Sequence, residues 1–259
     1  MSQEREPRLG IVDWGIGGIG IYRRLCEQLG DIPVTYFSDT GVTPYGKMSR
    51  PELIHRLEQV IKHLHTLGVT HLVVGCNAAS TVLPFLHFAG IKTKGVIDCT
   101  VAGTAKLKPK RLALIGGRRT VVSGVYRRAF QAHGIAIEQR IAQPLSALIE
   151  SGDVSSPQLR DECRKILRPI RHASHLLLAC THYPAIAKVL KNYVSPETVL
   201  IDPAATLVSE IAKWKLPTGG NSKFLTSGDP AVMKNAAFAA WRVRITAPAL
   251  SLPTRHQAR

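Results

Sequence analysis

Two textures of apolar residues alternate along the chain. Short runs rich in Leu, Ile and Val occupy 9–13, 34–38, 71–75, 95–97, 112–116, 175–179 and 199–201. Each has the length of a buried strand. Between them, 51–67, 122–133, 157–171 and 203–214 space their apolar residues three or four apart, the period of a helix with one buried face. Pro51 and Pro157 stand where a first helical turn tolerates proline. Strand–helix alternation predicts parallel sheets covered by helices. The last stretch, 246–259, contains Pro and Arg without periodicity and is expected to be a loose tail.

The pattern also repeats. Gly20-Ile-Tyr-Arg-Arg24 returns as Gly124-Val-Tyr-Arg-Arg128, Leu72-Val-Val-Gly-Cys76 as Leu176-Leu-Leu-Ala-Cys180, and Val96-Ile-Asp98 as Leu200-Ile-Asp202, each 104 positions on. Arg8-Leu-Gly-Ile11 pairs with Arg111-Leu-Ala-Leu114, one residue out of step. Several matches at one offset predict two similar halves. The two repeated cysteines each follow the C-terminal end of a predicted strand, where open parallel sheets place their ligands. If the halves face each other, Cys76 and Cys180 enter one cleft from opposite sides. That geometry suits removal of a proton from one face of a carbon and return of a proton to the other.

Composition narrows the reading. An apolar fraction of 45% over 259 residues fits a globular chain. No apolar run approaches the roughly 20 residues of a membrane span. The opening Met-Ser-Gln-Glu-Arg-Glu-Pro-Arg lacks the apolar stretch of a secretory signal, so a cytoplasmic protein without a membrane partner is expected. The 5 cysteines are scattered and form no zinc pattern; no metal is expected, and Cys26, Cys99 and Cys163 read as small buried hydrophobes. The 34 Lys and Arg against 18 Asp and Glu give a net charge of +16. These cations are spread along the chain and accompany no nucleic-acid-binding motif, so they read as a solvated basic surface with no specific nucleic-acid partner. Gly15, Gly17 and Gly18 follow a strand and open a helix, but no acidic residue ends a second strand as dinucleotide binding would require. A tight turn with close backbone approach is the better reading.

With these residues assembled, the motifs resemble a known family. Asp13-Trp-Gly-Ile-Gly-Gly18 resembles the Asp-Ser-Gly-x-Gly-Gly opening of glutamate racemases, in the aspartate/glutamate racemase superfamily. Ser38-Asp-Thr40 with Pro44-Tyr-Gly46 resembles their substrate-covering loop, and Cys76-Asn-Ala-Ala-Ser80 and Cys180-Thr-His-Tyr-Pro184 resemble their two cysteine motifs. Ser123-Gly-Val-Tyr126, the segment 144–152 and Thr226-Ser-Gly-Asp-Pro230 continue the likeness in family order from about residue 9 to 235.

The resemblance implies an α/β protein of two pseudo-symmetric domains. Each would be a mostly parallel sheet flanked by helices, with the active site in the cleft between them. Residues 1–100 with 208–245 would form the N-terminal half and 101–207 the C-terminal half. It implies a cofactor-independent isomerase acting on a small amino acid, glutamate, supplying D-glutamate for peptidoglycan. Family members are often homodimers. Cys76 and Cys180 would be the acid/base pair, Asp13 and His182 their orienting partners. Asn77 and Thr181 would bind the amino-acid head group, Pro44, Tyr45 and Gly46 the distal carboxylate, and Glu150 would stand near His182. Alone, Tyr45 reads as an ordinary loop aromatic and Glu150 as a solvated helix-end charge. Asp98 and Asp202 read as turn caps.

Two positions depart from the family pattern inside the substrate shell. Trp14 and Ala78 stand where the family has serine and threonine, and each loses a hydroxyl. A hydrogen bond of this kind is worth about 1 kcal/mol, and an indole takes up space in a close-fitted pocket. A racemase for another amino acid, or a non-catalytic relative that binds a partner, are the alternatives.

Overall fold

The computed structural model describes residues 6–86, 88–246 and 248–252. Among these residues ten strands run in chain order as β1 (Leu9–Asp13), β2 (Val34–Ser38), β3 (His71–Val74), β4 (Lys92–Gly95), β5 (Leu112–Gly116), β6 (Ile137–Ile141), β7 (His175–Ala179), β8 (Val199–Ile201), β9 (Lys223–Thr226) and β10 (Ala249–Leu250). The helices are α1 (Ile19–Leu29), α2 (Arg50–Thr66), α3 (Asn77–Ser80), α4 (Val96–Lys106), α5 (Arg118–Val122), α6 (Val125–Gln131), α7 (Gln143–Glu150), α8 (Pro157–Leu167), α9 (Ala187–Lys191), α10 (Pro203–Ala212) and α11 (Pro230–Trp241).

The strands form two sheets, ordered β10-β9-β2-β1-β3-β4 and β6-β5-β7-β8, with all pairs parallel. The order β2-β1-β3-β4 of the first is repeated as β6-β5-β7-β8 in the second. The α/β class and the two like halves follow directly. The first sheet is extended at one edge by β9 and β10, from the end of the chain.

Side-chain alternation explains why these strands read as unbroken apolar runs. Leu9 and Ile11 of β1, Leu112 and Leu114 of β5, and Leu177 of β7 share one core cluster lying between the halves. Their neighbours point to the opposite faces. Val12, Leu72 and Val74 enter a cluster under α2, and Ala113, Ile115, Leu176 and Leu178 enter one under α8. A parallel sheet covered on both faces leaves no polar side to its strands.

Several elements differ from the sequence-based expectation. The apolar segment 95–97 is not a strand: Gly95 ends β4 and Val96 opens α4, burying Val96 and Ile97 on a helix face. The helix expected over 122–133 is split at Gly124, whose φ of +67° is left-handed. The 157–171 helix ends at Leu167, and a 3-10 turn containing Pro169 follows. Asp202 caps α10, its carboxylate accepting from Ala204 N–H at 2.9 Å. Asp98 instead sits in the first turn of α4, so the Val-Ile-Asp match lies out of structural register. The limit expected at residue 207 falls inside α10, which packs on α1 and α4. The expected looseness of the tail fails at Ala249–Leu250, because these backbone groups pair with Leu225 and Thr226; residues 253–259 lie outside those described.

No helix among the described residues is long and apolar enough to cross a membrane. Cys99 and Cys163 are buried free thiols, and Cys26 is a partly buried one.

Candidate active site

The two halves meet at the C-terminal ends of β1, β3, β5 and β7, around a cavity of about 310 Å³. Asp13, Trp14, Pro44, Tyr45, Gly46, Cys76, Asn77, Ala78, Cys180, Thr181 and His182 all line it. Glu150 stands behind His182. Every residue expected at the site is thus brought to one place.

The first thiol, Cys76, follows β3 and precedes the short turn of α3. Burial pushes its pKa well above the ordinary thiol value, and the nearby Asp13 carboxylate adds to the rise. The Ala79 and Ala78 N–H groups act in the opposite direction. Asp13 ends β1 and is itself buried. Its Oδ1 accepts from Trp14 N–H at 2.7 Å, while Oδ2 has no partner among the described residues. Burial raises the Asp13 pKa, and the His182 charge partly counters the rise.

The second thiol has a different partner. Cys180 Sγ lies 3.6 Å from His182 Nδ1, and His182 Nε2 lies 2.6 Å from Glu150 Oε2. Burial works against a charged His182, but the Cys180 sulfur and the Glu150 carboxylate outweigh it, and the imidazole pKa stands well above its usual value. Glu150 is therefore no solvated helix end: it terminates α7, accepts from Ile16 N–H at 2.9 Å and orients the histidine. The imidazole thus brings a positive charge beside the Cys180 sulfur.

The glycine turn joins these two groups. A Cβ on Gly15 would lie 2.1 Å from Glu150 Oε2, and one on Gly17 would lie 2.3 Å from Thr181 Oγ1 and 2.8 Å from His182 Nδ1. The glycines leave room for Glu150, Thr181 and His182 of the second half to pack on the first half's turn. No phosphate-binding role is needed to account for them.

Beside the thiols stands a polar side chain, Asn77. Asn77 Oδ1 accepts from Tyr126 O–H at 2.7 Å, and its Nδ2 is buried without a partner among the described residues. At the other end, Tyr45 is held in place by its hydroxyl, which donates to Asp39 Oδ2 at 2.6 Å. Asp39 is buried and paired with Arg56 through Nε at 2.8 Å and Nη2 at 2.6 Å. This buried network fixes the loop from below. From the facing half, Arg119 donates to Tyr45 O and Met48 O.

Trp14 does not fill the cleft. Its Nε1 donates to Val42 O at 3.1 Å, and its ring packs against the cluster under α2. Tyr126, Arg119, Thr120, Gln143 and Lys47 were not singled out by residue type. Thr120 and Gln143 line the cleft just beyond β5 and β6; the strand-end rule applied to β5 would have found Thr120, whereas Gln143 follows a strand that the apolar pattern does not show.

These features agree with what the chain is similar to. A family model described as Asp/Glu/hydantoin racemase matches residues 31–211. A glutamate racemase of Desulforudis audaxviator is 33% identical over 207 residues, covering 77% of this chain and 76% of that one. The glutamate racemase of Francisella tularensis, solved in complex with D-glutamate, superposes with a TM-score of 0.86 at 22% identity, covering 97% of this chain and 98% of that one. That of Thermus thermophilus, solved with β-chloro-D-alanine, gives 0.84 at 25% identity, covering 98% and 100%. With its twinned sheets and its cleft between them, the chain belongs to the Asp/Glu/hydantoin racemase family.

Proposed function

We propose that the protein interconverts L- and D-glutamate by a two-thiol 1,1-proton transfer, without a cofactor, and supplies D-glutamate for peptidoglycan. The observation that carries this reading is the pair Cys76 and Cys180, from opposite halves, lining one cavity with separate acid/base partners. An α-proton beside a carboxylate is weakly acidic, so its removal needs a placed base, a conjugate acid on the far face and stabilisation of the developing charge. In one direction the Cys180 thiolate, paired with charged His182, takes the α-proton. The electron pair is left on the α-carbon and delocalised into the carboxylate. The Cys76 thiol then gives its proton to the opposite face. Cys180 ends as thiol and Cys76 as thiolate, and the reverse direction exchanges the roles.

The two unpartnered buried atoms fit the substrate's head group. Asp13 Oδ2 is an acceptor suited to an ammonium, and Asn77 Nδ2 a donor suited to a carboxylate. Thr181 lines the same wall.

The test is loss of the α-proton signal from L- and D-glutamate in deuterium oxide, followed by NMR. Exchange in the wild type with conversion of each enantiomer into the other, the conversion being abolished in both Cys76→Ser and Cys180→Ser, is the expected result. Conversion that survives either substitution sinks the two-thiol mechanism, whereas exchange of one enantiomer alone is what the remaining thiol would give. One observation favours a second reading, a different amino acid as substrate: Trp14 and Ala78 both line the cavity and bring no hydroxyl to it. Exchange with another amino acid but not with glutamate would select it. A cavity left open between the thiols gives no support to a purely partner-binding role.

A further inference from the structure

We infer that Lys47 is a specificity-determining residue, whose ammonium binds the distal carboxylate of a dicarboxylic amino acid at the mouth of the cleft. The inference rests on the racemase reading above and adds to it a side-chain counter-charge beyond the Pro44–Gly46 backbone.

The head-group atoms on Asp13 and Asn77 lie beside the thiols, so a longer substrate extends toward the loop at Pro44–Gly46. Of the lysines and arginines described, Lys47 is the one among the lining residues of that cavity. The neighbouring cations are committed elsewhere. Arg56 is spent on Asp39, and Arg119 on Tyr45 O and Met48 O. Lys47 has no hydrogen bond or ion pair from its side chain among the described residues. Its N–H donates to Pro44 O at 2.7 Å, which closes the turn.

The backbone beneath it is held. Arg119 grips the carbonyls of Tyr45 and Met48, one on each side of Lys47. The Tyr45 hydroxyl is fixed on the buried Asp39–Arg56 pair. A flexible four-carbon stem therefore springs from a preorganised base, and only the side chain must be ordered on binding. Arg50 adds a further positive charge near Arg119, where after burial it is the cause that depresses the Arg119 pKa. A second carboxylate on the substrate would answer the positive charge on this side, and a neutral side chain would not.

Because Lys47 is exposed, its attraction is screened by water and salt, and the effect is modest. Lys47→Gln is expected to raise KM for glutamate about fivefold, with kcat changed less than twofold and Lys47→Arg restoring most of the loss. Binding of glutarate, an unreactive dicarboxylate, should weaken by the same factor in calorimetric titration, and the difference should shrink as salt rises. A Lys47→Gln enzyme that keeps the wild-type KM and glutarate affinity overturns the inference while leaving glutamate racemisation intact. A wild type that does not turn over glutamate overturns the substrate assignment. In that case the glutarate titration still decides Lys47, because a wild type that binds glutarate no more tightly than Lys47→Gln refutes it. Unchanged melting temperatures show that the variants fold.

Discussion

At the scale of the residue, the two thiols line one cavity but differ in environment. Cys76 is buried against a carboxylate, which favours the protonated thiol, whereas Cys180 faces an imidazole backed by Glu150. The two thiols thus stand in contrasting surroundings, as paired titratable groups do elsewhere. His182 carries the pH dependence. Its pKa is raised on folding, so the stabilisation from its charged form is complete below the unfolded value of about 6.5 and disappears as pH rises through the folded value. Glu150→Gln removes one of the two groups that hold the charge. Its kcat/KM should fall, and the alkaline limb of its pH profile should move to lower pH than in the wild type. An alkaline limb left in place would mean that Glu150 does not govern His182. The convergence of the cysteines, Asp13 and His182 on one cleft was legible in the sequence, the cysteines from their repeated place at strand ends and Asp13 and His182 from motifs that resemble the family's. Glu150 was ambiguous there, since its meaning depends on His182, 32 positions away and in another element. Trp14 was legible only as a departure. The hydrogen bond that draws its ring to Val42 belongs to a loop whose path no local pattern specifies.

At the scale of the element, the turn between β1 and α1 shows how a fold motif and a chemical site become the same object. The sequence shows three glycines after a strand and nothing of what approaches them. The structure supplies the reason: Glu150, Thr181 and His182 occupy the volume that side chains at Gly15 and Gly17 would need. Gly17→Ala places a methyl group 2.3 Å from Thr181 Oγ1 and 2.8 Å from His182 Nδ1, far inside van der Waals contact. Such overpacking costs about 1–3 kcal/mol of stability, which the chain should survive. The displaced histidine should lower the α-proton exchange rate by about a hundredfold, as small misplacements at a catalytic centre can. The measurement is exchange in deuterium oxide beside a far-ultraviolet circular dichroism spectrum; a folded Gly17→Ala variant with wild-type exchange would show that the contact does not position His182. Strands with unbroken apolar runs were read correctly at this scale, 95–97 excepted. The failures came where glycine or proline acts through geometry: Gly95 turns the chain into α4, Gly124 parts α5 from α6, and Pro169 closes α8 into a 3-10 turn. The polar strands β6 and β9 were missed because Glu138, Gln139, Arg140 and Lys223 mask their period.

At the scale of the whole molecule, the two halves are alike in strand order yet not separable in packing. Leu112, Leu114, Tyr126, Phe130 and Leu177 of the second half are buried in the same cluster as Leu9, Ile11, Ile19 and Trp241. The cleft is bridged as well, by Tyr126 on Asn77, Arg119 on Tyr45 and Ile16 on Glu150. The residues that make the interface therefore also support the site. Burying one large apolar side chain contributes about 1.5–3 kcal/mol, so uncovering those five would cost roughly 7–15 kcal/mol on the same scale. A domain's entire net stability is about 5–15 kcal/mol. A fragment of residues 101–207 alone should then lack a cooperative thermal transition, whereas the full chain should melt in a single one that fluorescence and circular dichroism report together. A fragment that melts sharply with native-like dichroism would mean that each half carries its own stability and that the shared cluster is only a seam. In that case the halves could open independently, and the distance between the thiols would be set by substrate. A fragment without a transition makes the shared core the part that holds Cys76 and Cys180 at a fixed spacing, so substitutions buried far from the cleft, such as Trp241→Ala, should lower the exchange rate as well as stability.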